Sequence, residues 1–117
     1  MEFQDAVRRA FSKYVTFTGR AMRSEFWWFA LFTVLGNAVC EIIDRMIFGF
    51  GLLGGIAALV LILPQLAVAV RRLHDTGRTG WWLLIGLVPL VGWIVLIYFY
   101  VQPSDPGDNR YGLRPVA

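Results

Sequence analysis

Two arginine-rich stretches, residues 18–28 and 71–82, contain the side chains best suited to bind a charged ligand. Each stretch contains the triplet Thr-Gly-Arg and ends in a pair of tryptophans. Their candidate site residues are Arg20, Arg23, Glu25, Arg71, Arg72, His74, Asp75 and Arg78. A guanidinium group donates paired N–H bonds to carboxylate and phosphate oxygens. The chemistry predicted for these residues is therefore anion binding, above all of a phosphate or a phospholipid headgroup.

The same residues also permit a purely structural interpretation. Basic residues in cytoplasmic loops orient membrane helices and need no other purpose. Glu25 and Asp75 are the carboxylates of the two stretches, and a partly desolvated Arg–carboxylate contact is favourable. His74 beside Asp75 is typical of a hydrogen-bonded pair, although an imidazole also confers pH sensitivity. The sequence leaves open whether the cluster is a headgroup site or a topology and packing network.

Catalytic chemistry has little support in the sequence. The chain has one histidine and one cysteine, without the Cys/His spacing of a metal site, a phosphate-binding glycine-rich loop or a nucleophile elbow. His74 and Asp75 are adjacent, so a helix would point them apart. We predict no enzymatic activity, no cofactor and no metal. The pI of 9.5 does not indicate nucleic-acid binding, because the arginines follow the boundaries of the apolar segments.

The elements that must position this cluster are predicted to be membrane helices. Of the 117 residues, 57% are hydrophobic and only 16% are charged, against about 25% charged residues in a typical soluble domain. Residues 46–70 and 81–101 contain no charge and no continuous polar face. About 20 apolar residues in a helix cross a hydrocarbon core of roughly 30 Å. We predict an all-α membrane protein with three transmembrane helices, over residues 24–45, 47–72 and 81–101.

The segment before the first apolar block has a different pattern. Residues 1–18 place apolar and polar side chains on opposite sides of a helix, which predicts an amphipathic interfacial helix. This helix is expected either to lie on the inner leaflet or to pack on the cytosolic end of the bundle. Residues 1–112 are predicted to form a single membrane domain, and residues 102–117 a polar, turn-rich tail.

The distribution of arginine and lysine predicts the orientation in the membrane. The segments before, between and after the three apolar blocks, counted with the charged ends of the helices, contain five, one, three and two basic residues in chain order. Because cytoplasmic loops carry the excess of positive charge, we predict a cytoplasmic N-terminus and a cytoplasmic loop at residues 71–78. The turn near residues 41–45 and the C-terminal tail are then predicted to be periplasmic.

Three local features refine these helices. Gly77 is a candidate left-handed residue at the C-terminus of the second helix. Glu41 and Arg45 are four residues apart, in the favourable orientation for an ion pair at a capped turn. Pro64 and Pro89 are expected to kink the second and third helices, since proline removes a backbone donor.

Several short motifs resemble one known family. They are Phe17-Thr18-Gly19-Arg20, Arg23-Ser24-Glu25-Phe26-Trp27-Trp28, Leu63-Pro64, Arg71-Arg72-Leu73-His74-Asp75-Thr76-Gly77-Arg78, Gly80-Trp81-Trp82 and Asn109-Arg110-Tyr111-Gly112. Over about residues 17–112, the chain resembles the domain-of-unknown-function family 805, which includes small YhaH-like inner-membrane proteins of bacteria. The resemblance implies a helical fold in the bacterial inner membrane and implies no activity. The tail departs from the family pattern, because Leu113 and Arg114 precede Pro115.

The functional prediction follows from this topology. We expect a non-enzymatic accessory or envelope protein in the lipid bilayer, whose cytosolic Arg/His/Asp layer binds anionic phospholipid headgroups or a partner membrane protein. The alternative is a transporter or channel for a small or anionic solute. Three short helices hardly enclose a pathway alone, so that alternative requires a homo-oligomer.

Overall fold

The structure, a computed structural model, describes residues 2–112, and this range contains helices and no strand. The helices are α1 (Phe3–Ser12), α2 (Arg23–Ile43), a π-helical turn (Asp44–Phe48), α3 (Leu52–Asp75), a 3₁₀ helix (Gly80–Leu87) and α4 (Val91–Val101). The sequence prediction of an all-helical protein is confirmed for this range. Met1 of the predicted interfacial helix, and the family departure at residues 113–115, lie outside the described residues.

The helices α2 and α3 form an antiparallel pair that is long enough to cross a membrane. With the π-helical turn, α2 runs for 26 residues, and α3 runs for 24. At 1.5 Å per residue both exceed a hydrocarbon core of roughly 30 Å. Large apolar side chains on their outer faces are exposed, including Val34 and Leu59. These outer faces therefore have the character of lipid-facing surfaces.

The turn between the two long helices is closed by a side-chain cap. Asp44 is buried, and its two carboxylate oxygens accept the backbone N–H groups of Leu53 and Gly54 at 2.8 and 3.0 Å. These N–H groups lie in the first turn of α3, where no backbone acceptor is available. The predicted ion pair between Glu41 and Arg45 is confirmed at 2.6 Å, with both side chains exposed.

The third apolar segment does not form the predicted helix over residues 81–101. The 3₁₀ helix and α4 fold back on each other, with Trp82 and Phe99 in edge-on ring contact at 5.2 Å. Pro89 lies in the break between them, and Leu90 has a left-handed φ of 63°. Proline clashes with the carbonyl four residues earlier in a helix. A Cβ on Gly92 would meet the backbone oxygen of Ile85, so the close approach requires glycine there.

The prediction of a third transmembrane helix is therefore not confirmed, and the segment is a helical hairpin. Its α4 limb has 11 residues, or about 17 Å at 1.5 Å per residue. This length reaches about halfway through a hydrocarbon core of roughly 30 Å. Both ends of the hairpin consequently lie at the same end of the molecule.

The C-terminal tail follows the hairpin back to the arginine cluster. The Asp105 N–H donates to the Asp75 carbonyl at 2.8 Å, and Arg20 donates to the Gly107 carbonyl at 2.8 Å. The tail up to Gly112 and residues 71–78 therefore lie at one end of the molecule. These contacts do not fit the prediction that the tail and residues 71–78 are separated by a third spanning helix, because the third segment turns back on itself; the side of the membrane on which they lie stays a prediction.

The N-terminal helix α1 packs across the long helices through its apolar face. Ala6 and Ala10 are fully buried, and Phe11 makes edge-on ring contacts of 5.6 Å with Phe29 and Phe32. Tyr14, just beyond α1, donates a hydrogen bond to the Val60 carbonyl of α3. Of the two predicted positions, packing on the bundle is the one observed for this apolar face.

Candidate functional site

The carboxylate of Asp75 lies at the centre of the predicted site, at the C-terminal end of α3. It is fully buried and pairs with Arg20 Nε at 2.9 Å and with Arg72 Nη1 at 2.6 Å. Ser104 of the tail donates to the second carboxylate oxygen. One carboxylate therefore connects the segment before α2, the last turn of α3 and the tail.

A glycine cap fixes the position of Asp75. Gly77 has a φ of 80°, as the sequence predicts, and its N–H donates to the His74 carbonyl at 3.0 Å. The Arg78 N–H donates to the Leu73 carbonyl at 2.9 Å. These two bonds form the Schellman arrangement that ends a helix. The chain thus leaves α3 directly after the residues that build the site.

The tail supplies most of the acceptors for Arg20. This arginine is 6% exposed, and it donates to the carbonyls of Gly107 at 2.8 Å, Asp105 at 3.0 Å and Gly112 at 3.3 Å. A guanidinium has five N–H donors in a planar fork, which suits a loop that wraps around it. Arg20 is therefore held by one charge and a ring of backbone dipoles.

Three side chains hold the C-terminal end of α4. Arg72 Nε donates to the Tyr100 carbonyl at 3.1 Å, and Arg72 Nη2 also donates to the Gln102 carbonyl. Trp27 Nε1 donates to the Tyr100 carbonyl at 3.2 Å, and Arg23 Nη1 donates to the Val101 carbonyl at 3.1 Å. The last carbonyls of a helix lack partners within the helix and carry its negative dipole end. Cationic donors are therefore favoured at this position.

A second ion pair joins α2 to α3. Arg71 Nη1 and Glu25 Oε2 are 2.7 Å apart, and both side chains are fully buried. Three further atoms of this pair, Glu25 Oε1, Arg71 Nε and Arg71 Nη2, have no hydrogen-bond partner among the described residues. The Arg71 carbonyl accepts the Ala21 N–H at 2.9 Å. The pair therefore connects both long helices to the loop that precedes α2.

His74 contacts the loop before α2 and the tail, not Asp75. Its Nδ1 lies 2.9 Å from the Gly19 carbonyl, a geometry in which Nδ1 carries the proton. Its ring stacks on the Tyr111 ring, with centroids 4.1 Å apart and planes 1° apart. Asn109 donates to the His74 carbonyl at 2.9 Å. The expected His74–Asp75 hydrogen bond is not formed, because the two side chains leave the helix in different directions.

The eight predicted residues thus fall into two groups. Six are buried and internally partnered: Arg20, Glu25, Arg71, Arg72, His74 and Asp75. The other two are more accessible. Arg23 is exposed, and Arg78 is half-buried, with its guanidinium 4.0 Å from the centre of the Phe99 ring. Only this second group presents charge to an external ligand.

Sequence reasoning missed the contribution of the tail to this site. Ser104, Asp105, Asn109 and Tyr111 all contact the buried group. The available signal was the Asn-Arg-Tyr-Gly run at residues 109–112, which belongs to the motifs of the family resemblance. No group of three or more histidine, cysteine or acidic side chains suited to a metal ion occurs within residues 2–112.

Comparisons with known proteins support the membrane character of the fold. Inner membrane protein YhaH of Escherichia coli K12 is 40% identical over 112 residues, which cover 92% of this chain and 93% of that protein. Inner membrane protein YhaI of the same strain is 44% identical over 104 residues, 87% of each chain. No solved structure is significantly similar to this chain. The model of a protein family of unknown function, DUF805, matches residues 14–113, so the chain, with its paired Thr-Gly-Arg stretches and its buried arginine cluster, belongs to the DUF805 family.

Proposed function

We propose that this chain is a non-enzymatic accessory protein of the inner membrane. Its exposed cations at the clustered end, the end of the bundle that contains the buried Arg20, Arg71, Arg72 and Asp75, bind anionic phospholipid headgroups. We assign the buried arginines a structural role, because each is paired with a buried carboxylate and has little or no exposed surface for an external ligand. Headgroup binding is instead assigned to the exposed basic side chains that surround the buried arginines. The observation that carries the proposal is the position of these exposed cations relative to the apolar surface.

The exposed cations lie where the apolar surface ends. Arg8 of α1, Arg23 at the start of α2 and Arg110 of the tail are exposed. Counting about 20 helical residues back from Phe48 brings the hydrocarbon boundary to Trp28, and tryptophan is enriched at that boundary. Arg23 precedes Trp28 in the chain, Arg8 belongs to α1, whose Phe3 ring contacts Trp28, and Arg110 follows Asn109, which contacts His74. These neighbours support a position for the three arginines near the boundary. Each basic residue near an anionic leaflet contributes about 1 kcal/mol of attraction.

Native mass spectrometry with mixed lipids tests this proposal. The purified protein is offered equal amounts of phosphatidylglycerol and phosphatidylcholine in detergent. We expect preferential retention of phosphatidylglycerol, and a loss of about thirtyfold in that preference in the Arg8→Gln/Arg110→Gln variant, from about 1 kcal/mol for each of the two charges.

Arg45→Gln is the matched control, because Arg45 is an exposed arginine at the opposite end of the bundle. It is expected to leave the preference unchanged. Equal retention of the two lipids by the unsubstituted protein contradicts headgroup binding. Equal effects of Arg45→Gln and Arg8→Gln/Arg110→Gln contradict the assignment of headgroup binding to the clustered end.

A second candidate, a homo-oligomeric transporter or channel, is favoured by the tip of the hairpin. Val88 and Leu90 are exposed at a break in the helix, and irregular backbone at membrane depth is tolerated where protein or a water-filled cavity covers it. A second copy or a partner membrane protein would supply that cover. Crosslinking through a cysteine at Leu90 in native membranes tests this candidate: a dimer supports it, and a strictly monomeric product opposes it.

A further inference from the structure

We propose that the lateral cavity between α2, α3 and the 3₁₀ helix holds one acyl chain of an anionic phospholipid, whose phosphate is bound by Arg23. This proposal rests on the proposed function and specifies a site for it. It assigns one lipid a defined position in the fold. Headgroup attraction alone would instead distribute lipids around the whole clustered end.

The cavity is an apolar recess in the lipid-facing side of the bundle. Its volume is about 290 Å³, near the lower limit of roughly 300 Å³ for small-molecule pockets. Its walls come from all four neighbouring elements and consist of Phe26, Phe29, Ala30, Thr33, Gln65, Leu66, Val68, Ala69, Leu83 and Tyr100. This volume and lining suit part of one hydrocarbon chain.

Thr33, Gln65 and the hydroxyl of Tyr100 are the polar groups of the lining, and they do not make it a polar site. Thr33 donates its hydroxyl hydrogen to the Ala30 carbonyl at 2.8 Å, so its donor is already used within α2. Gln65 is exposed, at the side open to lipid. The remaining wall residues are hydrocarbon or aromatic. An apolar occupant therefore meets matched surfaces over most of the recess.

The cavity begins next to an exposed cation. Phe26 and Tyr100 form one wall, with ring centroids 4.2 Å apart. Arg23 lies one helical turn before Phe26, and its Nη1 donates to the carbonyl of Val101, the residue after Tyr100. Arg23 is therefore fixed at the cavity rim by one hydrogen bond, while its exposed guanidinium retains further N–H donors.

The charge and the recess together select a phospholipid. A phosphate oxygen is a preferred partner of a guanidinium, and a phospholipid carries its acyl chains directly below its phosphate. Trp27 donates to the Tyr100 carbonyl at 3.2 Å and places an indole at the same rim, as expected at an interface. A soluble anion would be bound by Arg23 and would leave the recess unused.

Filling the recess separates these possibilities. Ala30→Trp inserts a large side chain from the α2 wall, and Leu83→Trp inserts one from the 3₁₀ helix. Ala38→Trp is the matched control, because Ala38 is an exposed α2 residue outside the recess. The readout is the number of phosphatidylglycerol molecules retained by the full chain in native mass spectrometry. We expect both cavity-filling variants to retain one lipid fewer, and the control to retain the full number.

The role of Arg23 is tested at the same site. In the Arg23→Gln variant the cavity stays open, and we expect the lipid bound there to be retained without preference between phosphatidylglycerol and phosphatidylcholine. The ratio of retained phosphatidylglycerol to phosphatidylcholine at this site should then fall at least fivefold. Circular dichroism verifies that each variant keeps its helices. The two fillers enter from different walls of the cavity, so the test remains valid if only one of them folds.

Two results would overturn the inference, and they differ from failure of the proposed function. If a folded filler retains the full lipid number while Arg8→Gln/Arg110→Gln lowers the anionic preference, the cavity assignment is wrong and the proposed function stands. If inorganic phosphate displaces no lipid and Arg23→Gln leaves the ratio unchanged, the phosphate assignment is wrong. If the unsubstituted protein retains both lipids equally, the proposed function fails.

Discussion

Replacing Asp75 by asparagine removes one negative charge from the centre of the buried cluster without changing the shape of the side chain. Asp75 has no exposed surface, and it pairs with Arg20 at 2.9 Å and Arg72 at 2.6 Å. In the Asp75→Asn variant both guanidinium groups keep their backbone acceptors but lose the carboxylate. Two positive charges then remain buried beside a neutral amide.

The expected loss of stability follows from this burial. Removing one partner of a buried ion pair costs about 3–5 kcal/mol, because the remaining charge is left uncompensated. Here two arginines share the carboxylate, while their carbonyl contacts offset part of the loss. We therefore expect about 4 kcal/mol, which is a change of roughly a thousandfold in the folding equilibrium.

The control is the same substitution in an exposed pair. Glu41 and Arg45 are 2.6 Å apart, with side chains 62% and 78% exposed. Exposed pairs at this spacing contribute about 0.3–0.5 kcal/mol, so Glu41→Gln is expected to change stability very little. Both variants replace an arginine-paired carboxylate by its amide, and they differ in the burial of the pair and in the number of paired arginines, two for Asp75 and one for Glu41.

The assay is reversible unfolding in mixed micelles of increasing dodecyl sulfate fraction, followed by tryptophan fluorescence. Tryptophans at positions 27, 82 and 93 report on α2, the 3₁₀ helix and α4. A loss below about 1 kcal/mol for Asp75→Asn, or equal losses for both variants, refutes the argument that burial makes this carboxylate essential.

Three further outcomes follow from the structure. Gly92→Ala places a Cβ against the Ile85 carbonyl, whereas a Cβ at Gly55 meets no atom within 4 Å. The first substitution should slow or abolish disulfide crosslinking of a Trp82→Cys/Phe99→Cys pair, whose native rings are in contact across the hairpin, and Gly55→Ala should not. Gly77→Ala is expected to cost about 1 kcal/mol or more in the same micelle assay, because φ is positive and Asp105 is close. Reporter fusions at the two termini should both lie on one side of the membrane, and opposite sides would exclude the hairpin.

The composition of the buried cluster was predictable because charge in an apolar environment limits the possible partners. Glu25 and Asp75 are the carboxylates of the two arginine-rich stretches, and an unpaired buried charge is very costly. The sequence therefore indicated that arginines could pair with these two carboxylates, but it left open whether both stretches meet in one buried network. Gly77 was predictable for a similar reason, since a helix that ends in a left-handed residue favours glycine.

The tail contacts were not predictable, because their acceptors are backbone carbonyls. Every residue has a carbonyl, so nothing in the sequence marks Gly107 or Gly112 as partners of Arg20. The hairpin was missed for a different reason. An uncharged run of 21 apolar residues satisfies the length rule for a membrane span. The break depends on Pro89 together with the close contact between the backbone at residue 92 and the Ile85 carbonyl, which requires glycine at position 92.

The hairpin also explains why buried arginines belong in this fold. A helix that stops partway and returns to the same face must place its C-terminal carbonyls at the membrane boundary, where unpaired acceptors are costly. Arg72 and Arg23 donate to the carbonyls of Tyr100 and Val101, and Arg72 also donates to the carbonyl of Gln102. Asp75 then balances the charge that this arrangement brings into the interior. The structural interpretation and the proposed lipid binding are therefore compatible, because they apply to different arginines: buried ones close the hairpin, and exposed ones are the proposed headgroup ligands.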